Sequence, residues 1–161
     1  SQGMVMIHAG QEYARSKVIP HLEGIQDPHA GQIDHNSYEK DNETNYMNYE
    51  HYDLNKELAD YYKGLIELRE KNEAFRRAEY EDISFVEDHE NQFALGYKLK
   101  YKDDEFFVVF NANHDLTAKF NLPEGDWDVL VNAEKAGVAA LNAVSGKIEL
   151  TPISSFILKK R

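Results

Sequence analysis

The chain has 161 residues, enough for one domain or for a small domain with a further segment attached, and its 42 % apolar and 29 % charged residues suit a packed core better than disorder. Eighteen Lys and Arg stand against 29 Asp and Glu, and the net charge of −11 argues against nucleic acid or an anionic membrane surface while leaving a neutral partner such as a sugar open. The absence of cysteine excludes disulfides and thiolate metal sites and leaves the compartment undecided; no apolar run approaches membrane-spanning length.

In chain order, Met4-Val5-Met6-Ile7 comes first. A short apolar run followed by polar residues and a Gly reads as a buried strand of a parallel sheet. Such a strand needs neighbours and none follow directly, so the expectation is a chain cut from something larger. From there to residue 53 the sequence is polar, rich in His, Asn, Asp and Tyr, with little periodicity. A structureless stretch of that length is usually a functional loop or disorder. Leu54, Leu58, Tyr61, Leu65 and Leu68 then recur at helical spacing and predict a helix over 54–72. Asp53 or Asn55 is its candidate cap, and Arg69 and Lys71 suit its C-terminal end.

Residues 80–161 read as strands: Ile83–Glu87, Phe93–Lys100, Phe106–Asn111, Ala118–Leu122, Trp127–Val131, Lys147–Leu150 and Phe156–Lys159. Turn signals separate them, among them Lys102-Asp103-Asp104 and Pro123-Glu124-Gly125-Asp126, and Phe93, Leu95, Tyr97, Leu99 and Tyr101 alternate with period two. Strands of this length at this spacing predict an antiparallel sandwich. Trp127 invites a sugar-stacking reading, but its place at the start of a strand suits core packing better.

Several of these residues also form a recognisable series. Ser1-Gln2-Gly3-Met4-Val5-Met6-Ile7-His8-Ala9-Gly10-Gln11-Glu12 resembles the eighth barrel strand and following turn of the α-amylase superfamily, glycoside hydrolase family 13. Arg15-Ser16-Lys17, then Asn36-Ser37-Tyr38, Asp41 and Asn45, resemble a series found in type I pullulanases. Tyr61-Tyr62-Lys63-Gly64-Leu65-Ile66-Glu67-Leu68-Arg69 with Ala74-Phe75-Arg76 is similar to the helix that closes their barrel, and the β-rich tail is similar to their C-terminal sandwich.

The resemblance implies an α+β fragment, mainly β. Residues 1–77 would be the end of a (β/α)8 catalytic barrel (strand eight, a long loop and the final helix), and 78–161 a C-terminal β-sandwich. It implies a parent that cleaves α-1,6-glucosidic bonds in pullulan, glycogen or limit dextrins by retaining hydrolysis, one carboxylate attacking the anomeric carbon and a second serving as acid and then base. Those carboxylates belong to earlier strands, so no catalytic residue is assigned here and the chain alone is expected to be inactive. Glu12, at the strand-eight turn, is not a substitute. The loop would border the substrate groove, making Arg15, Asn36, Tyr38, Asp41 and Asn45 candidate sugar contacts, with Tyr38 offering a stacking face. The competing reading is that these residues hold the loop together through Asn/Asp turns and an ion pair. No cofactor is expected for the chain, with Ca2+ open for the parent. The expected partner is α-glucan bound through the parent, with a dimer or a contact to the parent's N-terminal part as further options.

The series departs from the family between Lys17 and Asn36, where the segment is longer and carries His21, Glu23, Asp27, His29, Asp34 and His35. Imidazole and carboxylate groups are zinc ligands, but no predicted element fixes their spacing, which favours a solvated insertion that reshapes the groove. It departs again at Met47-Asn48-Tyr49, where the family pattern leads to a Trp, so the series gives no support for stacking there. Two other readings stand beside the fragment: a stand-alone β-sandwich that binds glucan or protein, and a superfamily member acting on α-1,4 linkages.

Overall fold

The structure, a computed structural model, describes residues 2–87 and 91–161. Ser1, which opens the N-terminal motif, lies outside the described residues. The chain forms two compact units, Met6–Ala59 and, with Ser1–Val5, Asp60–Arg161.

The larger unit is built on antiparallel strands: β1 Ile83–Glu87, β2 Ala94–Tyr101, β3 Asp104–Asn111, β4 Ala118–Asn121, β5 Trp127–Val131, β6 Asn142–Val144, β7 Lys147–Leu150 and β8 Ser154–Lys160. Six of them form one sheet in the order β1-β2-β3-β8-β5-β6, and β4 pairs with β7 in a second. Because side chains alternate across a strand, the large sheet has two apolar faces. Ala94, Phe107, Val109, Trp127, Val129 and Leu158 pack on Ala118, Phe120, Ile148 and Leu150 of the small sheet. On the other face Tyr97, Leu99, Phe106, Val108 and Val131 pack on Leu68, Ala74 and Phe75. Burying each large side chain contributes roughly 1.5–3 kcal/mol, so these two layers hold the unit together. Trp127 is fully buried, its indole N–H donating to Pro123 O at 3.0 Å, which confirms the packing role. The mainly β, antiparallel class and the seven predicted strands are therefore present, with ends that agree to within two residues. The extra strand, β6, is short and lacks apolar alternation.

The predicted helix over 54–72 is two helices: α1 Glu50–Leu54 and α2 Lys56–Lys71, joined at Asn55. Asn55 closes α1, its amide donating to His51 O at 3.0 Å, and immediately precedes α2, whereas Asp53 lies inside α1. A short α3, Ala74–Arg77, follows. Leu68 is buried and Tyr61 and Leu65 pack beside it, whereas Leu54 at the start of the stripe is 80 % exposed. Gly64 is needed for close approach: a Cβ there would lie 1.9 Å from Ala136 O.

The first predicted strand differs. Met4–Ile7 has no strand pairing, and Met4 and Met6 are 97 % and 92 % exposed. A parallel strand takes all its ladder bonds from neighbours, and no described strand lies beside this run.

Candidate functional site

The polar segment Met6–Ala59 folds without a sheet or an extended apolar core; Tyr13 and Ala59 are its buried hydrophobic residues. Its order comes from backbone turns and polar side chains. Gly10, in the left-handed region at φ 86, opens a single 3-10 turn, Gln11–Tyr13. Ala14, also left-handed at φ 56, reverses the chain so that Arg15 N–H returns to Gly10 O at 2.9 Å. A side chain at Gly10 would collide with Arg15, its Cβ 2.7 Å from the Arg15 Cβ. The turn therefore needs glycine for both conformation and space. It aims the Arg15 guanidinium at backbone carbonyls: one nitrogen donates to Ala9 O at 3.1 Å and another to Asn45 O.

Residues 17–34 form a two-legged loop, not an unstructured insertion. Val18 and Ile33 are bridged antiparallel, Ile19 N–H donates to Gln32 O at 2.9 Å, and Asp34 N–H to Lys17 O at 2.8 Å. Asp27 makes the far turn, its carboxylate accepting from His29 N–H at 2.8 Å. The base is tied to the next segment: Lys17 Nζ donates to Ser37 Oγ at 2.9 Å, and Lys40 pairs with Asp34. The Lys40 ammonium, followed by the Asn36 backbone N–H, holds the Asp34 carboxyl below its ordinary range. A small cavity of about 190 Å³ opens between Ile19, Pro20, Leu22, Ile25, Asp27 and Lys40.

Asn45 is the centre of this loop. Its amide nitrogen donates to Ser37 O at 2.7 Å and to Lys40 O, and its side-chain oxygen accepts from Ser37 Oγ at 2.8 Å. Both ends of the side chain are thus satisfied internally. Arg15 and Asn45 meet directly, and Ser37, buried, belongs with them though only its neighbours were singled out as contacts. Asn36, Tyr38 and Asp41 instead face solvent, with Tyr38 90 % exposed. Asn36 N–H donates to Asp34 Oδ1 at 2.8 Å, which fixes the backbone that carries it. Among the described residues no three His, Asp or Glu side chains gather as metal ligands, so His21, Glu23, Asp27, His29, Asp34 and His35 form no zinc cluster. Glu12, in the first turn after Gly10, is half-buried.

These elements define a mainly β, antiparallel domain preceded by a polar-knotted loop and a helix. No protein-family model matches the chain. Solved structures that share the fold include pullulanases. The chain is similar to the pullulanase from Bacillus acidopullulyticus with a TM-score of 0.77 and 24 % identity, covering 99 % of this chain and 19 % of that one. It is similar to a pullulanase from an Anoxybacillus species, complexed with maltotetraose, with a TM-score of 0.69 and 22 % identity, covering 100 % of this chain and 22 % of that one. A third structure is the catalytic module of the multi-modular glycogen-degrading pneumococcal virulence factor SpuA, with a TM-score of 0.70, 24 % identity, and coverage of 100 % and 29 %. The chain thus spans about a fifth to three-tenths of the length of the structures it matches.

Proposed function

We propose that this chain is the C-terminal portion of a starch- or glycogen-debranching glycoside hydrolase of the pullulanase type, which cleaves α-1,6-glucosidic bonds. The observation that carries this reading is the fold shared with the Bacillus pullulanase over 99 % of the chain. The ordered series Arg15-Ser16-Lys17, Asn36-Ser37-Tyr38, Asp41 and Asn45 supports it independently. In this reading residues 1–77 end a (β/α)8 barrel and 78–161 are the C-terminal sandwich. The exposed run Met4–Ile7 then pairs with the preceding strands of the parent, and the loop borders its substrate groove.

Of the candidate contacts, Tyr38 offers a ring face, and Asn36 and Asp41 offer hydrogen-bonding groups, to sugar hydroxyls. Arg15 and Asn45 hold the loop that presents them. The chain alone is inactive, because the nucleophile and the acid lie on strands outside it and the covalent route requires both. A second reading, a self-sufficient glucan- or protein-binding sandwich, is favoured by the complete core of the β unit and by Phe85 and Phe110, which are 59 % and 44 % exposed on its sheet.

Hydrolysis assays separate these readings. The product of the full gene should release reducing ends from pullulan, and the 161-residue chain should release none. Cleavage of unbranched amylose with pullulan left intact would replace the debranching assignment by an α-1,4 activity. A full gene product no longer than this chain would end the barrel account and favour the binding module.

A further inference from the structure

Four tyrosines in the loop unit are exposed: Tyr38, Tyr46, Tyr49 and Tyr52. Two of them are packed on a third ring. Tyr13, only 3 % exposed, lies with its ring centroid 6.3 Å from Tyr49 and 6.4 Å from Tyr52. The contacts are tilted at 43° and edge-on at 73°, the offset arrangements that aromatic quadrupoles prefer. Tyr49 and Tyr52 sit three residues apart where α1 begins, so they share one side of that turn, and Tyr52 N–H donates to Tyr49 O at 3.0 Å. Tyr13 is fixed from below by its hydroxyl, which reaches Met47 Sδ at 3.8 Å.

If covering Tyr13 were the whole role of the outer rings, they would bury themselves in doing so. They do not: Tyr49 remains 71 % exposed and Tyr52 42 %. Large amphipathic rings held by a buried partner, with the rest of their surface in water, lose little further freedom when a flat ligand settles on them. We infer that Tyr49 and Tyr52, seated on Tyr13, form an aromatic platform that stacks a glucose unit of an α-glucan. The inference rests on the glucan reading proposed above and adds residues that it does not use. Pyranose rings present axial C–H groups that suit an aromatic face, while their hydroxyls need polar neighbours. Glu50 and Asp53, exposed carboxylates on the same short helix, are the nearest acceptors in sequence. The net charge of −11 argues against a polyanionic ligand for the same rings.

The test is calorimetric titration of the 161-residue chain with maltotetraose. Tyr49→Ala and Tyr52→Ala should each weaken binding about three- to tenfold, the loss expected of one aromatic contact. Tyr49→Trp, which enlarges the face without removing it, should bind at least as tightly as the wild type, and it keeps the test valid if an alanine variant loosens the turn. Tyr38→Ala separates this inference from the proposed site. Weakening by Tyr38→Ala with Tyr49 and Tyr52 variants unchanged would overturn the platform and leave the site reading intact. The reverse pattern would support the platform and count against Tyr38. No measurable binding of maltotetraose to the wild-type chain would overturn the platform.

Discussion

The two units of this chain are ordered by different physics. In Asp60–Arg161 the backbone is paired in ladders and apolar side chains fill both faces of a six-stranded sheet. In Met6–Ala59 almost no apolar surface is buried, and the chain is held by Asn45, Ser37, Arg15 and the Asp34–Lys40 pair acting on turns. The first kind of order is distributed over many contacts, each replaceable in part. The second is concentrated in a few polar side chains, and it leaves the neighbouring residues in water, where a sugar can reach them. The comparison teaches that the fold's stability and its proposed function are carried by different residues.

The largest effect should come from opening the apolar layer. Trp127→Ala should cost the β unit about 3–5 kcal/mol, read as a fall in its urea midpoint, because a fully buried indole leaves a cavity and the Pro123 carbonyl loses its donor. Next is Gly64→Ala. Helix propensity alone predicts a gain of about 1 kcal/mol, but the new methyl meets the Ala136 carbonyl. Overpacking of that kind costs roughly 1–3 kcal/mol, more when the obstacle is backbone, so the net change should be destabilising. A raised thermal midpoint would refute the close approach.

Asn45→Ala should act on the other unit. It leaves Ser37 and Lys40 carbonyls without their amide donor, a loss of roughly 1–3 kcal/mol where the groups are covered. Hydrogen exchange should then accelerate across residues 34–46 while the strands keep their protection. Equal acceleration in β2 and β3 would show that the two units share one cooperative unit.

Titration sharpens the contrast further. Burial pushes the Tyr97 phenol up to about 12, so the fold favours its neutral form. That contribution is complete below the ordinary tyrosine value near 10 and is lost as pH rises from there towards about 12. Tyr97→Phe should flatten the alkaline fall in stability of the β unit. Asp34 behaves oppositely. Its carboxyl is held down by Lys40, so its contribution is present above the ordinary carboxylate range and disappears as pH falls below it. Acid should loosen the 17–40 loop first, and Asp34→Asn should remove that dependence, the smallest change of the series.

What was legible in the sequence follows the same division. The period-two pattern of Tyr97, Leu99 and their neighbours reveals a strand because a sheet face is buried, and Trp127 reads as core for the same reason. β6 was illegible because Asn142-Ala143-Val144 is only three residues long and places a single side chain, Val144, against the core, too few to show a period. Met4–Ile7 has the composition of a buried strand, yet no described strand pairs with it, because composition reports burial and says nothing of a ladder partner. In the loop unit, Asn45 and Asp34 act through carbonyls and amide N–H groups that every residue carries, so their spacing has no period to detect. The resemblance to pullulanases brought Arg15 and Asn45 forward as sugar contacts; in the structure two guanidinium nitrogens of Arg15 and the amide of Asn45 bond to neighbouring loop residues, while Arg15 Nε is buried without a partner. Tyr13 carried no sequence signal that it would support Tyr49 and Tyr52.

The most direct test of the account is to map, by amide NMR shifts of the 161-residue chain, where maltotetraose binds. The account predicts shifts confined to residues 36–53, with the strands of the β unit unmoved. Shifts centred on Phe85, Leu95 and Phe110 instead would contradict it and identify the sandwich as the glucan-binding part.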